Sequence, residues 1–145
     1  MNQAGSVMFR TAIVIGTIAT LGVATALART PAAENAEVYI ISPADGETVT
    51  SPVTIRFGLR GMGVAPAGVN TPNTGHHHLI VNAGLPALDA PIPASDNYRH
   101  FGGGQTETTI ELPPGKHTLQ LIMGDLMHIP HDPPVMSRKI TITVK

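Results

Sequence analysis

The chain has 145 residues, no cysteine, and nine basic against ten acidic side chains. That length suits one domain, and the lack of cysteine excludes a disulfide framework, a thiolate metal site and a lipid anchor on cysteine. The near-neutral charge balance leaves no electrostatic footprint for nucleic acid or for an anionic membrane.

Residues 1–10 carry one basic residue, Arg10, and no acid, and residues 11–23 are apolar. Small residues in Ala24-Thr25-Ala26-Leu27-Ala28 stand at cleavage spacing, so residues 1–28 read as a secretory signal peptide. The alternative is an uncleaved anchor, but the apolar run is short for a spanning helix of about 20 residues and no basic stop-transfer cluster follows. The mature protein is therefore expected in the periplasm or secreted, with no membrane attachment after cleavage. Residues 29–37 are polar and rich in Pro and Ala, which predicts a flexible lead-in to a domain over residues 38–145.

Val38-Tyr39-Ile40-Ile41 predicts the first strand, ended by Ser42-Pro43 and the Asp45-Gly46 turn. Residues 49–53 read as a broken edge segment, because Pro52 cannot donate to a ladder. Residues 54–60 alternate cleanly, with Ile55, Phe57 and Leu59 on one face. Residues 61–75 form a long loop of Gly, Pro, Asn and Thr, beyond ordinary loop lengths and of the kind that carries function. A histidine-bearing strand over 76–82 follows, then a Pro-rich extended stretch over 85–96. Strands are predicted over 105–112, 116–123 and 138–145, with a stiff loop over 124–134 containing Pro130, Pro133 and Pro134. Short strands with turn signals between them, and no helical period after the leader, give an all-β fold. The expected architecture is an antiparallel, immunoglobulin-like β-sandwich of about seven strands.

In such a sandwich the long loop, the start of the histidine strand and the 124–134 loop share one end. That gathers His76, His77, His78, His100, His128 and His131, and sets His117 apart at the other end. Alternation along a strand puts His76 and His78 on one face and His77 on the other. A His-x-His pair on a strand can place two imidazoles on one Zn²⁺, Cu²⁺ or Ni²⁺ ion. Further ligands are expected from His128, His131 or His100, with the prolines restraining the loop. Asp125 and Asp132 are candidate acceptors for the outer ring N–H groups. Met127, Met123 and Met62 lie in or near the same loops, and a soft thioether would favour copper over zinc.

Each of these residues has a plainer reading. His77 fits a satisfied core histidine, the methionines fit gap-filling, and a polar loop end can be histidine-rich without metal. Gly102-Gly103-Gly104 lacks a following Lys-Ser/Thr, so it fits close backbone packing rather than a phosphate cradle. Three readings stay open. One is a metal-binding protein for buffering or delivery. Another is a metal-free module docking an envelope protein, since few aromatics argue against sugar stacking. The third is a metal-dependent enzyme with a vacant coordination position.

Two resemblances sharpen the picture. Ser42-Pro43-Ala44-Asp45-Gly46-Glu47-Thr48-Val49 resembles the opening of bacterial immunoglobulin-like domains, and Leu112-Pro113-Pro114-Gly115-Lys116-His117 resembles their corner, with His117 where a tyrosine often sits. The resemblance implies that His117 hydrogen-bonds the turn backbone. Four motifs, Gly61-Met62-Gly63-Val64-Ala65-Pro66, Asn73-Thr74-Gly75-His76-His77-His78-Leu79, His100-Phe101-Gly102-Gly103-Gly104 and His128-Ile129-Pro130-His131-Asp132-Pro133-Pro134, resemble an exported bacterial family, domain of unknown function 4399. That resemblance covers nearly the whole mature chain and implies no activity. The chain departs from it at Leu126, where a histidine is common in the family. A looser likeness, of fold only, is to periplasmic copper carriers of the copper-resistance type.

Overall fold

The computed structural model describes residues 29–145; the expected leader, residues 1–28, lies outside the described residues. Nine strands follow in order: β1 (Glu37–Ser42), β2 (Thr48–Val49), β3 (Val53–Arg60), β4 (Gly63–Val64), β5 (Thr74–Val81), β6 (Tyr98–His100), β7 (Glu107–Ile110), β8 (Gly115–Gly124) and β9 (Ile140–Val144). No helix occurs among the described residues. One sheet has the order β1-β3-β7, and the other β2-β9-β8-β5-β4, with β6 also paired to β5. The all-β, two-sheet expectation holds.

The β1-β3-β7 sheet is antiparallel as expected, but the larger sheet is mixed. The β2–β9 and β4–β5 pairs run parallel. Each involves two residues; β4 and β5 are joined by the loop of residues 65–73, whereas β2 and β9 come from opposite ends of the domain, where long connections allow parallel pairing. β4 sits inside the long 61–75 loop, and β6 lies between the expected strands, in a stretch without a strand pattern of its own.

Period-two patterning builds the main core. Val53, Ile55 and Phe57 of β3 face Leu79 and Val81 of β5, Leu121 and Met123 of β8, and Ile142 of β9. On the solvent side of β3, the Thr54 and Thr109 hydroxyls meet at 2.9 Å and Arg56 pairs with Glu107 at 3.3 Å. Both are directly opposed cross-strand pairs.

β5 is buried on both faces from Gly75 to Val81, unlike the one-sided strands typical of antiparallel sheets. The cause is the Pro-rich stretch after β5. It folds over the outer face, so that Ile92 and Leu88 cover Ile80 and Ile122 in a second small core. The Ile92 N–H donates to the His128 carbonyl at 2.9 Å, which ties this cover to the loop after β8.

His117 does what the corner resemblance implies. Its Nε2 donates to the Pro113 carbonyl at 2.8 Å, and its Nδ1 accepts from Asn82 Nδ2 at 2.9 Å. It pairs with Ile142, whereas Met123, six residues further along β8, pairs with His77. A rise of about 3.4 Å per residue separates the two ends by roughly 20 Å.

Of residues 29–37, expected as a flexible lead-in, 29–32 are held against the loop after β8 and Glu37 opens β1. Asp132 N–H donates to the Thr30 carbonyl and Ala32 N–H to the Asp132 carbonyl, both at 2.9 Å. Ala32 and Ala36 also pack on the main core.

Candidate metal centre

β5 presents its histidines as alternation requires. His77 points into the core, its ring centroid 5.1 Å from that of Phe57. Neither of its ring nitrogens has a hydrogen-bond partner. Burial lowers its pKa to about 4, with the Gln105 backbone acting the other way. His77 is therefore a neutral core residue that shares no face with its neighbours.

His76 and His78 project from the outer face of the sheet. β6 runs beside β5 with His100 directly opposite His78, and the turn after β8 supplies His128. The four residues His76, His78, His100 and His128 each offer a ring nitrogen, and these atoms lie within 4.8 Å of one another. His76 Nε2 stands 3.0 Å from His128 Nδ1 and also 3.0 Å from His78 Nε2. An imidazole nitrogen carries either one proton or one lone pair, so His76 Nε2 can make one good hydrogen bond here, not two. A cation at the centre would use every lone pair at once. The outer Nδ1 atoms of His76 and His78 are buried without partners.

The electrostatics fit a ligand set. Burial, then the neighbouring His100 and His128, lowers the His76 pKa to about 4, with Asp125 opposing. Burial, then His76, His100 and His128, lowers His78 to about 3. Burial and His128 lower His100 as well. Neutral imidazoles with free lone pairs are what a metal requires, since protons compete for the same nitrogens. His76 and His78 are buried, His128 is half-buried and His100 is exposed, so the group opens to solvent on the His100 side.

The turn bearing His128 is tightly built. Asp125 Oδ1 accepts the N–H groups of Met127 and Ile129 at 2.9 Å each. The Asp125 carbonyl accepts His128 N–H, and Asp125 N–H donates to the Ile129 carbonyl, again at 2.9 Å. His128 itself sits at φ 66°, in the left-handed region that glycine occupies without strain. A histidine kept where glycine would be easier points to use of its ring. His128→Gly is expected to leave metal-free stability unchanged or up to about 1 kcal/mol higher, while weakening metal binding. Chemical denaturation beside a metal titration checks both.

Glycines make room for the rings. A Cβ on Gly124 would lie 2.9 Å from His78 Nε2, and one on Gly75 would lie 2.8 Å from His131 Cε1. A Cβ on Gly102 would overlap the His100 ring at Cε1 and Nε2. This is the close packing expected of the triple-glycine stretch. Gly102→Ala should push His100 out of the group and weaken metal binding by about 10-fold, the low end for losing ligand support. Metal titration of that variant is the check.

Other expected site residues lie elsewhere. His131 is buried but outside the group of four, its Nε2 donating to the Thr74 carbonyl at 3.2 Å. The carboxylates of Asp125 and Asp132 make their hydrogen bonds to groups other than imidazoles. Asp125 organises the turn, and Asp132 pairs with Arg29 at 3.2 Å. Met123 is in the main core and Met127 is 55 % exposed.

The family model described as Domain of unknown function (DUF4399) matches residues 55–145, and the chain belongs to that family. The match includes all four grouped histidines. No curated protein and no solved structure matches the chain.

Proposed function

We propose that this member of the family is a periplasmic metal-binding protein whose His76, His78, His100 and His128 hold one copper ion for buffering or delivery. Zinc is the competing ion. The observation that carries the reading is the crowding at His76 Nε2, with two imidazole nitrogens at 3.0 Å that protons cannot both satisfy. The donor set is all imidazole, which suits copper, nickel and zinc alike. With bonds of about 2.0–2.1 Å, nitrogens 3.0 Å apart subtend about 91–97° at the ion, nearer the right angle of tetragonal copper(II) than the wider angle of tetrahedral zinc. The thioether argument for copper lapses for Met123, which packs in the core. The leader-like N-terminus supports export, and the exposed His100 supports exchange with a partner or the medium.

Equilibrium dialysis of untagged protein, prepared without nickel resin, against copper and zinc in turn tests this. One equivalent of copper per chain, held against a zinc excess, is expected. No retained metal, or zinc displacing copper, contradicts the reading.

A further inference from the structure

The family match begins at residue 55, yet the four residues at the start of the described chain grip the turn that carries His128. Thr30 Oγ1 donates to Asp125 Oδ2 at 2.6 Å, while the other carboxylate oxygen of Asp125 holds the turn amides. Arg29 spans the far side of the same loop. Its Nε donates to the Pro130 carbonyl at 3.1 Å, its Nη1 meets Asp132 Oδ1 at 3.2 Å, and its Nη2 donates to the His131 carbonyl. Backbone bonds at Thr30 and Ala32 close the contact onto both sides of Asp132.

Asp125 is buried, and among the described residues Thr30 and the turn amides are the groups that hydrogen-bond its carboxylate and fix its orientation. A short loop with a left-handed histidine needs such restraint, because ordering a ligand costs conformational entropy unless the fold has already done so.

We propose that residues 29–32 form a strap that presets the His128 turn in its ligand-presenting position, with Thr30 and Arg29 as positioning residues of the metal centre. The proposal rests on the metal reading above. The strap holds Asp125 from one side and the Pro130–His131 carbonyls from the other, so His128 Nδ1 stays within reach of His76.

Thr30→Val keeps the shape of Thr30 and removes its donor; Thr30→Ser restores the donor. Two readouts on the full chain separate the outcomes. In metal-free protein, amide hydrogen exchange at Met127 and Ile129 should speed up by about 10-fold or more in Thr30→Val and return to the wild-type rate in Thr30→Ser, with the amides of β8 unaffected. Copper titration should show affinity about 10-fold weaker in Thr30→Val, with an altered copper EPR spectrum, and both restored in Thr30→Ser. Wild-type exchange rates in Thr30→Val overturn the strap. Faster exchange with unchanged copper affinity and spectrum reduces it to a structural contact and overturns the positioning role. A wild-type protein that takes up no copper contradicts the metal reading instead, and the exchange rates alone then decide whether the strap holds the turn.

Discussion

Replacing His76 and His78 together with alanine is expected to abolish stoichiometric metal uptake. Both rings leave β5 on the face shared with His100 and His128, and both send Nε2 into the group. Loss of support outside the coordination sphere already costs about 10–100-fold in affinity, so losing two direct ligands should exceed the upper figure. The metal-free protein should tolerate the change. Removing two buried rings leaves cavities, at about 2–5 kcal/mol for comparable truncations. It also removes two buried, unpartnered Nδ1 atoms, each worth about 1–3 kcal/mol. Thermal melts with and without copper read both effects. Wild-type protein should gain about 4 kcal/mol when free metal exceeds Kd by about 1,000-fold, and the double variant should gain nothing. An equal copper-induced shift in the variant would place the ion elsewhere.

The second large effect is on the metal-free protein in acid. His76 and His77 are lowered to about 4 and His78 to about 3 in the fold, against about 6.5 for an unfolded histidine. Between those values the unfolded chain binds more protons, so stability increases with pH. It is fully present above about 6.5 and drains away as pH falls towards 4. One pKa unit is about 1.4 kcal/mol, so three buried histidines together contribute several kcal/mol. That is a large share of the roughly 5–15 kcal/mol typical of a domain. The urea midpoint of metal-free protein should therefore drop steeply from pH 6.5 to 4.5. The His76→Ala/His78→Ala variant should show a shallower drop, carried by His77. Saturating copper should move the wild-type drop to lower pH, because the ion competes with protons for the same nitrogens. A midpoint flat across that range would contradict the burial of neutral imidazoles.

Much of this was legible in the residues themselves. Alternation around Ile55 and Leu121 gave the strands that form the core, and the same period separated His76 and His78 from His77. The Pro113–His117 corner carried its own hydrogen-bonding logic. Other features depended on contacts between distant segments. β6 is three residues long, and its pairing next to β5, which makes His100 a group member, has no signature in so short a run. His131 looked as good a ligand as His128 in sequence. The difference lies in backbone direction, since the Asp125 turn aims His128 at His76 while His131 turns towards Thr74. Asp125 and Asp132 read as partners for imidazole, but nearer donors claim them: turn amides and Thr30 for one, Arg29 for the other. The Pro-rich 85–96 stretch hid a packing role because Pro86, Pro91 and Pro93 interrupt any strand or helix pattern around Leu88 and Ile92. They cover Ile80 and Ile122 without regular pairing.

In the proposed centre, four imidazoles from three chain segments share one ion. The most direct measurement is a crystal structure of untagged protein with one equivalent of copper, with anomalous data at the copper edge. The expected result is one peak about 2.0–2.1 Å from the Nε2 atoms of His76 and His78, a ring nitrogen of His100, and Nδ1 of His128. A fully occupied copper peak elsewhere on the chain, or no peak while the four rings hold their places, would contradict it.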